Sequence, residues 1–524
     1  MIALALSLLG AGHPAVTAPP PRPRLVVVIT VDQLAQSYID KMRGQLTGGL
    51  GRLLKEGAVF TRAYQDHAIT ETAPGHSTVL SGRWPRNTGI LTNVIGVGDS
   101  AAPLVEANGP GASPRRFRGT ALFDWMAAID SGTRAFSVSR KDRAAILPIG
   151  RARQHVYWYQ SGKFVTSRYY ADSLPVWVRV FNEQRVPFKS ASREWTLLLP
   201  DSAYPEPDSA AWENAGRDVV FPHRLPADSV RATAAYTATP FLDSLTLAFA
   251  LTGVEQLRLG RRGPTDLLAI GLSSTDAVGH IFGPDSREVR DQILRLDRYL
   301  AAFFDRLADR VGRNDYIVVL TADHGITPFP AASRARGVTD AYEVRLDTLI
   351  HAVNLELSEA VRSMHGPEEW LEFDEGIIWL RDNGRLAAFG LKLDSVWTAV
   401  SARLLKVPGV ARVDRPASLA RADTADDAVA RRWVHQIPPD APIPLVVTLS
   451  GLSDYAPRSF ASHGKPSEGD AHVALVFWGS GFVSGTFDRR VATVDIAPTL
   501  ARRLGVAPRS VLDGRVLTEI LSER

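Results

Sequence analysis

Three apolar, strand-like runs in this chain each end close to an aspartate. The first run is Leu25 to Val31, which is rich in β-branched residues and is followed at once by Asp32. Leu267 to Leu272 precedes Asp276, and Tyr316 to Leu320 precedes Asp323. Continuous apolar runs of this kind are typical of strands that are covered on both faces of a parallel sheet. In open α/β sheets functional groups collect at the carboxyl ends of strands, so these acids are expected to converge.

Helix-like segments alternate with these strands. Residues 287 to 307 carry apolar side chains at helical spacing, and Val473 to Trp478 adds a further core strand. The predicted fold class is therefore α/β, with a mostly parallel central sheet flanked by helices. We predict one catalytic unit over 24–524, interrupted by insertions at about 151–240 and 332–450. These insertions either wall the site or decorate the surface.

Charge and composition exclude several classes of protein. The formal net charge is only +4 and the arginines are dispersed, so no nucleic-acid-binding groove is predicted. The absence of cysteine excludes disulfides and thiolate metal sites. The apolar segment within residues 1–20 is too short to span a bilayer and is interpreted as a secretory signal peptide, although it lacks the usual basic start. Periplasmic or secreted localisation is therefore predicted, with an apolar tail as the alternative.

Histidines accompany two of the aspartates. Asp276 and His280 are four residues apart, so a helix would place both on one face, where one cation could bind them. Asp323 is followed directly by His324, and His463 lies near the C-terminus. Each pair alone is weak evidence, but together with Asp32 they form a candidate set of ligands for two metal ions. Carboxylates and imidazoles suit zinc, and they also allow manganese or iron.

A turn at Glu71 to Thr78 and a basic triplet complete the candidate site. Pro74 favours the first turn of a helix, which would place Thr72 at a helix N-terminus where an anion can dock. Lys141 and Arg143 are two residues apart, so an extended segment over 138–146 would point both toward one phosphoryl group. The alternatives are that Thr72 is an ordinary N-cap and that the triplet is an exposed strand edge.

In combination, these motifs resemble the alkaline phosphatase superfamily from Asp32 to about Leu517. The resemblance implies two Zn²⁺ ions as cofactors, with Thr72 as the nucleophile and as a further metal contact. One zinc would take Asp32, Asp323 and His324. The other would take Asp276, His280 and a histidine that we assign as His463, with His472 as the alternative. The same resemblance gives Asn93 a role as donor to a phosphate oxygen. His76 is interpreted as a core histidine, with a position in the site as the alternative.

The segment around Lys141 and Arg143 resembles the phosphate-irrepressible alkaline phosphatases within this superfamily. The related nucleotide pyrophosphatase/phosphodiesterase branch lacks this pair of cations, because a diester carries one negative charge fewer. The resemblance therefore implies a phosphomonoesterase that acts on small-molecule phosphate monoesters through a phosphothreonine at Thr72. The alternatives are a phosphodiesterase or nucleotide pyrophosphatase, a sulfatase, for which threonine is unusual at the nucleophile position, and a non-enzymatic metal-binding protein.

Overall fold

A computed structural model describes residues 21–361, 368–456 and 461–522. The strands in these ranges are, in chain order, β1 (Leu25–Val31), β2 (Ala58–Tyr64), β3 (Ala135–Ser139), β4 (His155–Gln160), β5 (Lys163–Val165), β6 (Glu194–Trp195), β7 (His223–Arg224), β8 (Asp266–Leu272), β9 (Tyr316–Thr321), β10 (Glu343–Val344), β11 (Leu371–Asp374), β12 (Ile377–Leu380), β13 (Val410–Asp414), β14 (Leu445–Leu449), β15 (Asp454–Tyr455), β16 (His472–Trp478), β17 (Gly485–Phe487) and β18 (Val491–Ala492).

Helices connect most of these strands. In the described ranges they are α1 (Gln36–Met42), α2 (Gly49–Glu56), α3 (Thr72–Val79), α4 (Pro85–Thr88), α5 (Leu122–Ile129), α6 (Asp142–Ile146), α7 (Val176–Glu183), α8 (Ser229–Ala235), α9 (Phe241–Gln256), α10 (Ser274–Phe282), α11 (Arg287–Val311), α12 (Pro330–Ala335), α13 (Asp347–Ala360), α14 (Asn383–Ala388), α15 (Leu393–Leu404), α16 (Pro416–Leu419), α17 (Ala428–Gln436), α18 (Glu468–Ala471) and α19 (Ile496–Leu504).

The central sheet follows the order β17-β2-β16-β9-β1-β8-β3-β4-β5, and β18 also pairs with β2. Strand β1 lies at its centre and pairs in parallel with both β8 and β9, and β3 continues the parallel arrangement beyond β8. Strand β16 is antiparallel to both β9 and β2. The prediction of a mostly parallel sheet is confirmed. The strand predicted at Val473 to Trp478 is β16, which is antiparallel to its neighbours, as β5 is to β4.

Both faces of the sheet are covered, which explains the unbroken apolar runs. Val27 and Ile29 of β1 belong to one hydrophobic core, whereas Val26 and Val28 belong to the core on the opposite face. A strand buried on both sides gains from apolar residues at every position, because successive side chains point to opposite faces. The long helix predicted from residue 287 is α11, and Ser286 caps it by accepting a hydrogen bond from the Val289 N–H.

The two predicted insertions differ in how they relate to the sheet. The first, at about 151–240, begins with β4 and β5, which form one edge of the central sheet, so the departure from the sheet starts only after β5. Its later part includes α7 and α8. The second, at about 332–450, contains a separate four-stranded sheet in the order β11-β12-β14-β13, packed over its own hydrophobic core.

A helix crosses a bilayer only if it is long and apolar enough. In the described ranges no helix is both long and apolar enough to cross a membrane. The signal peptide predicted for residues 1–20 lies outside the described residues.

Candidate metal centre

The carboxyl ends of neighbouring parallel strands bring the three aspartates together. Along the pairings of β1, Val31 is aligned with Leu272 and Thr30 with Thr321, so β1, β8 and β9 end at the same edge of the sheet. Asp32 follows β1 directly, and its N–H donates to the Leu272 carbonyl oxygen over 2.8 Å. Asp323 follows β9, and Asp276 lies in the first turn of α10 after β8. All three carboxylates are buried.

Helix α10 presents Asp276 and His280 on one side, as the four-residue spacing predicts. The Nε2 atom of His280 lies 3.2 Å from Asp276 Oδ1, and the Nε2 atom of His463 lies 3.5 Å from the same oxygen. The two imidazole Nε2 atoms are 3.2 Å apart. The start of α10 is fixed by Asp243, whose Oδ1 accepts a hydrogen bond from the Ser274 N–H over 3.0 Å. One carboxylate and two imidazoles therefore point at one small volume.

The second group forms around Asp32 and Asp323. His76, from helix α3, lies with its Nε2 3.1 Å from Asp32 Oδ1 and 3.6 Å from Asp323 Oδ2. His324 lies between the groups, because its Nε2 is 3.4 Å from Asp323 Oδ2 and 3.9 Å from Asp276 Oδ1. By ligand-atom spacing, the two clusters are Asp276 with His324 and His463, and Asp32 with His76 and Asp323. This division differs from the one that the resemblance implies, in that His324 changes group, His76 enters and His280 is in neither cluster.

The protonation states of the cluster suit metal ligation. Burial keeps the pKa of His463 well below its usual value, and the neighbouring His324 lowers it further. Burial lowers the pKa of His324 to about 4. Both imidazoles are thus neutral near pH 7, as a metal ligand must be. Burial opposes the ionisation of Asp32, but Lys141 and His76 hold its pKa below the usual range.

Several buried atoms in the cluster are left without a hydrogen bond to any described residue, and two of them, Asp323 Oδ2 and His324 Nε2, lie 3.4 Å apart. Among the described residues, neither Asp323 Oδ2 nor His324 Nε2 has a hydrogen-bond partner, although both are fully buried. Burial and the adjacent charge of Asp32 raise the pKa of Asp323 to about 7. A cation between these groups would satisfy both atoms and offset the repulsion between the carboxylates. The donor set therefore fits a metal ion.

The alternative ligand His472 lies elsewhere. It begins β16, its Nε2 is 2.8 Å from the Thr61 carbonyl oxygen, and its ring stacks on Tyr64 with 4.7 Å between centroids. His463 instead lies in the cluster and is oriented by the Thr70 carbonyl oxygen, 2.8 Å from its Nδ1. Of the two histidines, the geometry favours His463.

Thr72 and Lys141 meet at the edge of this cluster. Thr72 is the first residue of α3, and Glu71 is its N-cap, so Thr72 lies at a helix N-terminus as predicted but is not the N-cap. The ammonium Nζ of Lys141 is 2.9 Å from Thr72 Oγ1, 2.7 Å from Asp276 Oδ2 and 2.8 Å from Asp32 Oδ2. Burial disfavours the charge of Lys141, but Asp276 and Asp32 outweigh it and raise its pKa. A permanently charged ammonium group therefore adjoins the Thr72 hydroxyl.

The prediction that an extended segment over 138–146 directs Lys141 and Arg143 is wrong. Strand β3 ends at Ser139, Lys141 is the N-cap of α6, and Arg143 lies in the first turn of that helix. A strand-to-helix turn, and not strand alternation, thus sets the direction of both cations. The nearest carboxylate oxygen to the Arg143 guanidinium is Asp142 Oδ1, at 3.6 Å.

Asn93 holds the start of α3 in place. Its Oδ1 accepts a hydrogen bond from the Ala73 N–H over 2.9 Å, and its Nδ2 donates to Glu71 Oε1 over 3.0 Å. The backbone N–H of Asn93 also donates to Glu71 Oε2 over 2.7 Å. Asn93 is therefore hydrogen-bonded to Glu71 and Ala73, the two residues that flank Thr72 in the chain.

Sequence reasoning ranked a core position of His76 above its place in the site, and it missed the role of Asp243. Helix α3 is buried on all sides, so its pattern gives no information on which face meets the aspartates. The only available signal for His76 was its helical spacing of four residues from Thr72. Asp243 lies in the apolar helix α9, where a lone acid can indicate a buried capping role.

Comparison with known proteins gives a consistent assignment. The model of the type I phosphodiesterase / nucleotide pyrophosphatase family matches residues 26–367. The alkaline phosphatase PafA of Elizabethkingia meningoseptica is 31% identical, with 96% of this chain and 95% of the relative covered. The alkaline phosphatase PhoK of a Sphingomonas species is 32% identical, with 94% and 91% covered.

Solved structures confirm the fold. The crystal structure of wild-type PafA superposes with a TM-score of 0.88 at 29% identity, covering 96% of this chain and 99% of that chain. Murine ectonucleotide pyrophosphatase/phosphodiesterase 5 superposes with a TM-score of 0.53 at 14% identity, covering 95% of this chain and all of that chain, which indicates a shared fold alone. The predicted alkaline-phosphatase-like architecture is thus confirmed.

Proposed function

This chain belongs to the type I phosphodiesterase / nucleotide pyrophosphatase family, and we propose that it is a zinc-dependent phosphomonoesterase with Thr72 as its nucleophile. Its likeness to alkaline phosphatases over nearly its whole length makes it a phosphatase. The observation that carries the finer proposal is the position of Lys141 Nζ, 2.9 Å from Thr72 Oγ1 and in contact with two candidate ligand carboxylates.

Charge at this point favours a monoester. A monoester brings a dianionic phosphoryl group, and each additional negative charge strengthens its attraction to a buried ammonium group. Lys141 is only 9% exposed on its side chain, so water screens this attraction weakly. Arg143, in the first turn of α6, adds a second cation beside Lys141.

We assign the metal ions to six ligands, which are Asp32, Asp276, His280, Asp323, His324 and His463, with Thr72 as a further contact. Neutral imidazoles and carboxylates without thiolates are a donor set that zinc accepts. When bound, paired cations lower the pKa of a coordinated hydroxyl and neutralise charge on the transferring phosphoryl group.

The residues of the chain then divide the reaction between them. Thr72 Oγ gives up its proton to solvent and forms a bond to phosphorus as the bond from phosphorus to the leaving-group oxygen breaks, and that oxygen takes a proton from water. A water molecule later attacks phosphorus and breaks its bond to Thr72 Oγ, which releases inorganic phosphate and restores the hydroxyl. Lys141 and Arg143 hold the phosphoryl oxygens, and Asn93 keeps the first turn of α3 in position. Because phosphoryl transfer depends mainly on positioning and charge stabilisation, no separate acid is required among the described side chains.

A direct experiment is acid quenching of the zinc-loaded protein during turnover of p-nitrophenyl phosphate, followed by peptide mass spectrometry. Phosphate should map to Thr72 and should be absent from Thr72→Ala. Ser77 and Thr78 lie in the same peptide and serve as internal controls, because their hydroxyls donate to the carbonyl oxygens of Pro74 and Gly75 over 2.7 Å each. Phosphate on either control residue, or active Thr72→Ala, would contradict the assignment.

The second candidate is a phosphodiesterase or nucleotide pyrophosphatase. It is favoured by the description of the family model that matches residues 26–367.

We propose that the chain is exported through its N-terminal apolar segment. Cell fractionation with activity measured in each fraction tests this localisation.

A further inference from the structure

A cavity of about 570 Å³ lies next to the candidate phosphate clamp. One wall is the turn from β3 into α6, which contributes Arg140, Lys141 and Arg143. The opposite wall comes from the segment that follows β3 and includes the β4–β5 hairpin and α8. That wall includes Phe188 and Val230. Cavities of roughly 300 to 1,000 Å³ are typical of small-molecule sites.

The cavity and the candidate reaction centre share Lys141. This residue lines the cavity, and its side chain extends to the candidate reaction centre, where Nζ lies 2.9 Å from Thr72 Oγ1. A phosphoryl group held by Lys141 and Arg143 would therefore have the cavity immediately beside it. The organic part of a bound monoester must extend away from the phosphoryl group in some direction. This cavity adjoins the phosphoryl position and has the size of a small-molecule site.

The far wall offers an apolar contact of fixed shape. Phe188 is partly exposed and lies against the β4–β5 turn so closely that a Cβ on Gly162 would be 2.4 Å from its Cε2. The guanidinium carbon of Arg185 lies 4.8 Å from the centroid of the same ring. Val230 is 67% exposed on α8. An aromatic ring with an aliphatic neighbour favours a flat apolar guest.

Arg140 gives the cavity a charge that the reaction centre does not use. It lines the cavity and is partly buried. Its guanidinium has no hydrogen bond or ion pair with any residue of the described ranges. By contrast, Arg143 lies 3.6 Å from Asp142 and Lys141 contacts Asp32 and Asp276. Arginine forms strong paired hydrogen bonds with carboxylate or phosphate groups, so Arg140 suits a second anionic group on the substrate.

We propose that this cavity binds the leaving group of the substrate and selects an aryl group that carries an anionic substituent. Arg140 contacts the anion, and Phe188 and Val230 contact the ring. The inference rests on the proposed phosphomonoesterase function and adds the substrate class to it.

The test compares four substrates that separate ring, charge and chemistry. Methyl phosphate lacks a ring, phenyl phosphate adds the ring, and meta-carboxyphenyl and meta-carbamoylphenyl phosphate share a shape but differ in charge. Three variants are measured for kcat/KM on each, namely Arg140→Gln, Val230→Trp and Lys163→Gln. Lys163 is an exposed cation on β5 that does not line the cavity, and it serves as the matched control.

The expected changes are in ratios. Arg140→Gln should lower the preference for the carboxylate over the carbamoyl substrate by about tenfold, the value of one charge-assisted hydrogen bond. Val230→Trp should fill the cavity and lower the preference for phenyl over methyl phosphate by a similar factor. Lys163→Gln should leave both ratios as in the wild type. Melting temperatures close to the wild-type value would show that the variants are folded.

Two results would overturn the inference, and they are distinguishable. If methyl phosphate is hydrolysed but both ratios stay at wild-type values in Arg140→Gln and Val230→Trp, the cavity is not the leaving-group site and the proposed function stands. If no monoester is hydrolysed, including methyl phosphate, the proposed function and the leaving-group site fail together.

Discussion

Replacing Lys141 with methionine removes the ammonium group that lies 2.9 Å from Thr72 Oγ1 while keeping a side chain of similar length. The account gives this charge one main task, which is to hold the dianionic phosphoryl group of a monoester. The variant should therefore lose monoester hydrolysis more than diester hydrolysis.

The magnitude follows from the burial of the group. Lys141 is only 9% exposed, so its interaction with phosphate resembles a buried charge-assisted hydrogen bond and not a surface ion pair. Such bonds contribute about 1.5 to 3 kcal/mol, which corresponds to about a 10- to 150-fold loss in kcat/KM for a monoester. A diester carries half the charge, so its loss should be about 3- to 12-fold, and the ratio should fall by about the same factor.

The assay measures kcat/KM for p-nitrophenyl phosphate and bis-p-nitrophenyl phosphate, with zinc content determined on each sample. Zinc content matters because Lys141 also contacts Asp32 and Asp276. Lys163→Met, an exposed lysine on β5, is the matched control and should retain wild-type rates. Equal losses on the two substrates at full zinc content would refute the role given to Lys141.

Three further perturbations test other parts of the structure. Gly75→Ala should cost about 1 to 3 kcal/mol of stability and reduce zinc binding, because its Cβ would lie 2.2 Å from the Asp323 carbonyl oxygen. Gly44→Ala is the control and should do neither, because open space surrounds Gly44. Equal melting temperatures of the two variants would contradict this prediction. Burial and the charge of Glu288 raise the pKa of Glu213 from 4.5 to about 8, so the folded state binds more protons than the unfolded state in this window and this contribution to stability is lost as pH rises toward 8. Glu213→Gln should therefore raise the melting temperature more at about pH 9 than at about pH 5. The gain in the free energy of unfolding has an upper limit of about 5 kcal/mol, and a pH-independent difference in melting temperature would contradict the assignment. Removal of metal by a chelator should lower the melting temperature, and added zinc should restore it. At a thousandfold excess of zinc over Kd, binding should add about 4 kcal/mol to the free energy of unfolding. A melting temperature that does not respond to the chelator would argue against a resident metal.

The main sheet could be predicted because its strands are buried on both faces. The runs that precede Asp32, Asp276 and Asp323 are almost wholly apolar, and parallel pairing then aligns their carboxyl ends. The direction of β16 could not be predicted in this way, because a buried strand has the same apolar pattern in either direction. Its antiparallel pairing with β9 depends on long-range packing.

Local errors arose where one motif fits two conformations. Lys141 and Arg143 would face one way on a strand, but β3 ends at Ser139 and the chain turns into α6. His76 lies in a helix without an exposed face, so the sequence pattern does not indicate its contact with Asp32. The segment after β3 was predicted as an insertion from its composition, although β4 and β5 belong to the central sheet.

The most direct test of the central claim is the ratio of kcat/KM values for p-nitrophenyl phosphate and bis-p-nitrophenyl phosphate, measured on the zinc-loaded wild-type protein. Both substrates release the same leaving group, so the ratio reports the charge and size of the phosphoryl group that the site accepts. We expect a strong preference for the monoester, because Lys141 lies beside Thr72 and Arg143 adds a second cation in the same turn. A preference for the diester would contradict the account and would assign the chain to the phosphodiesterases of its family.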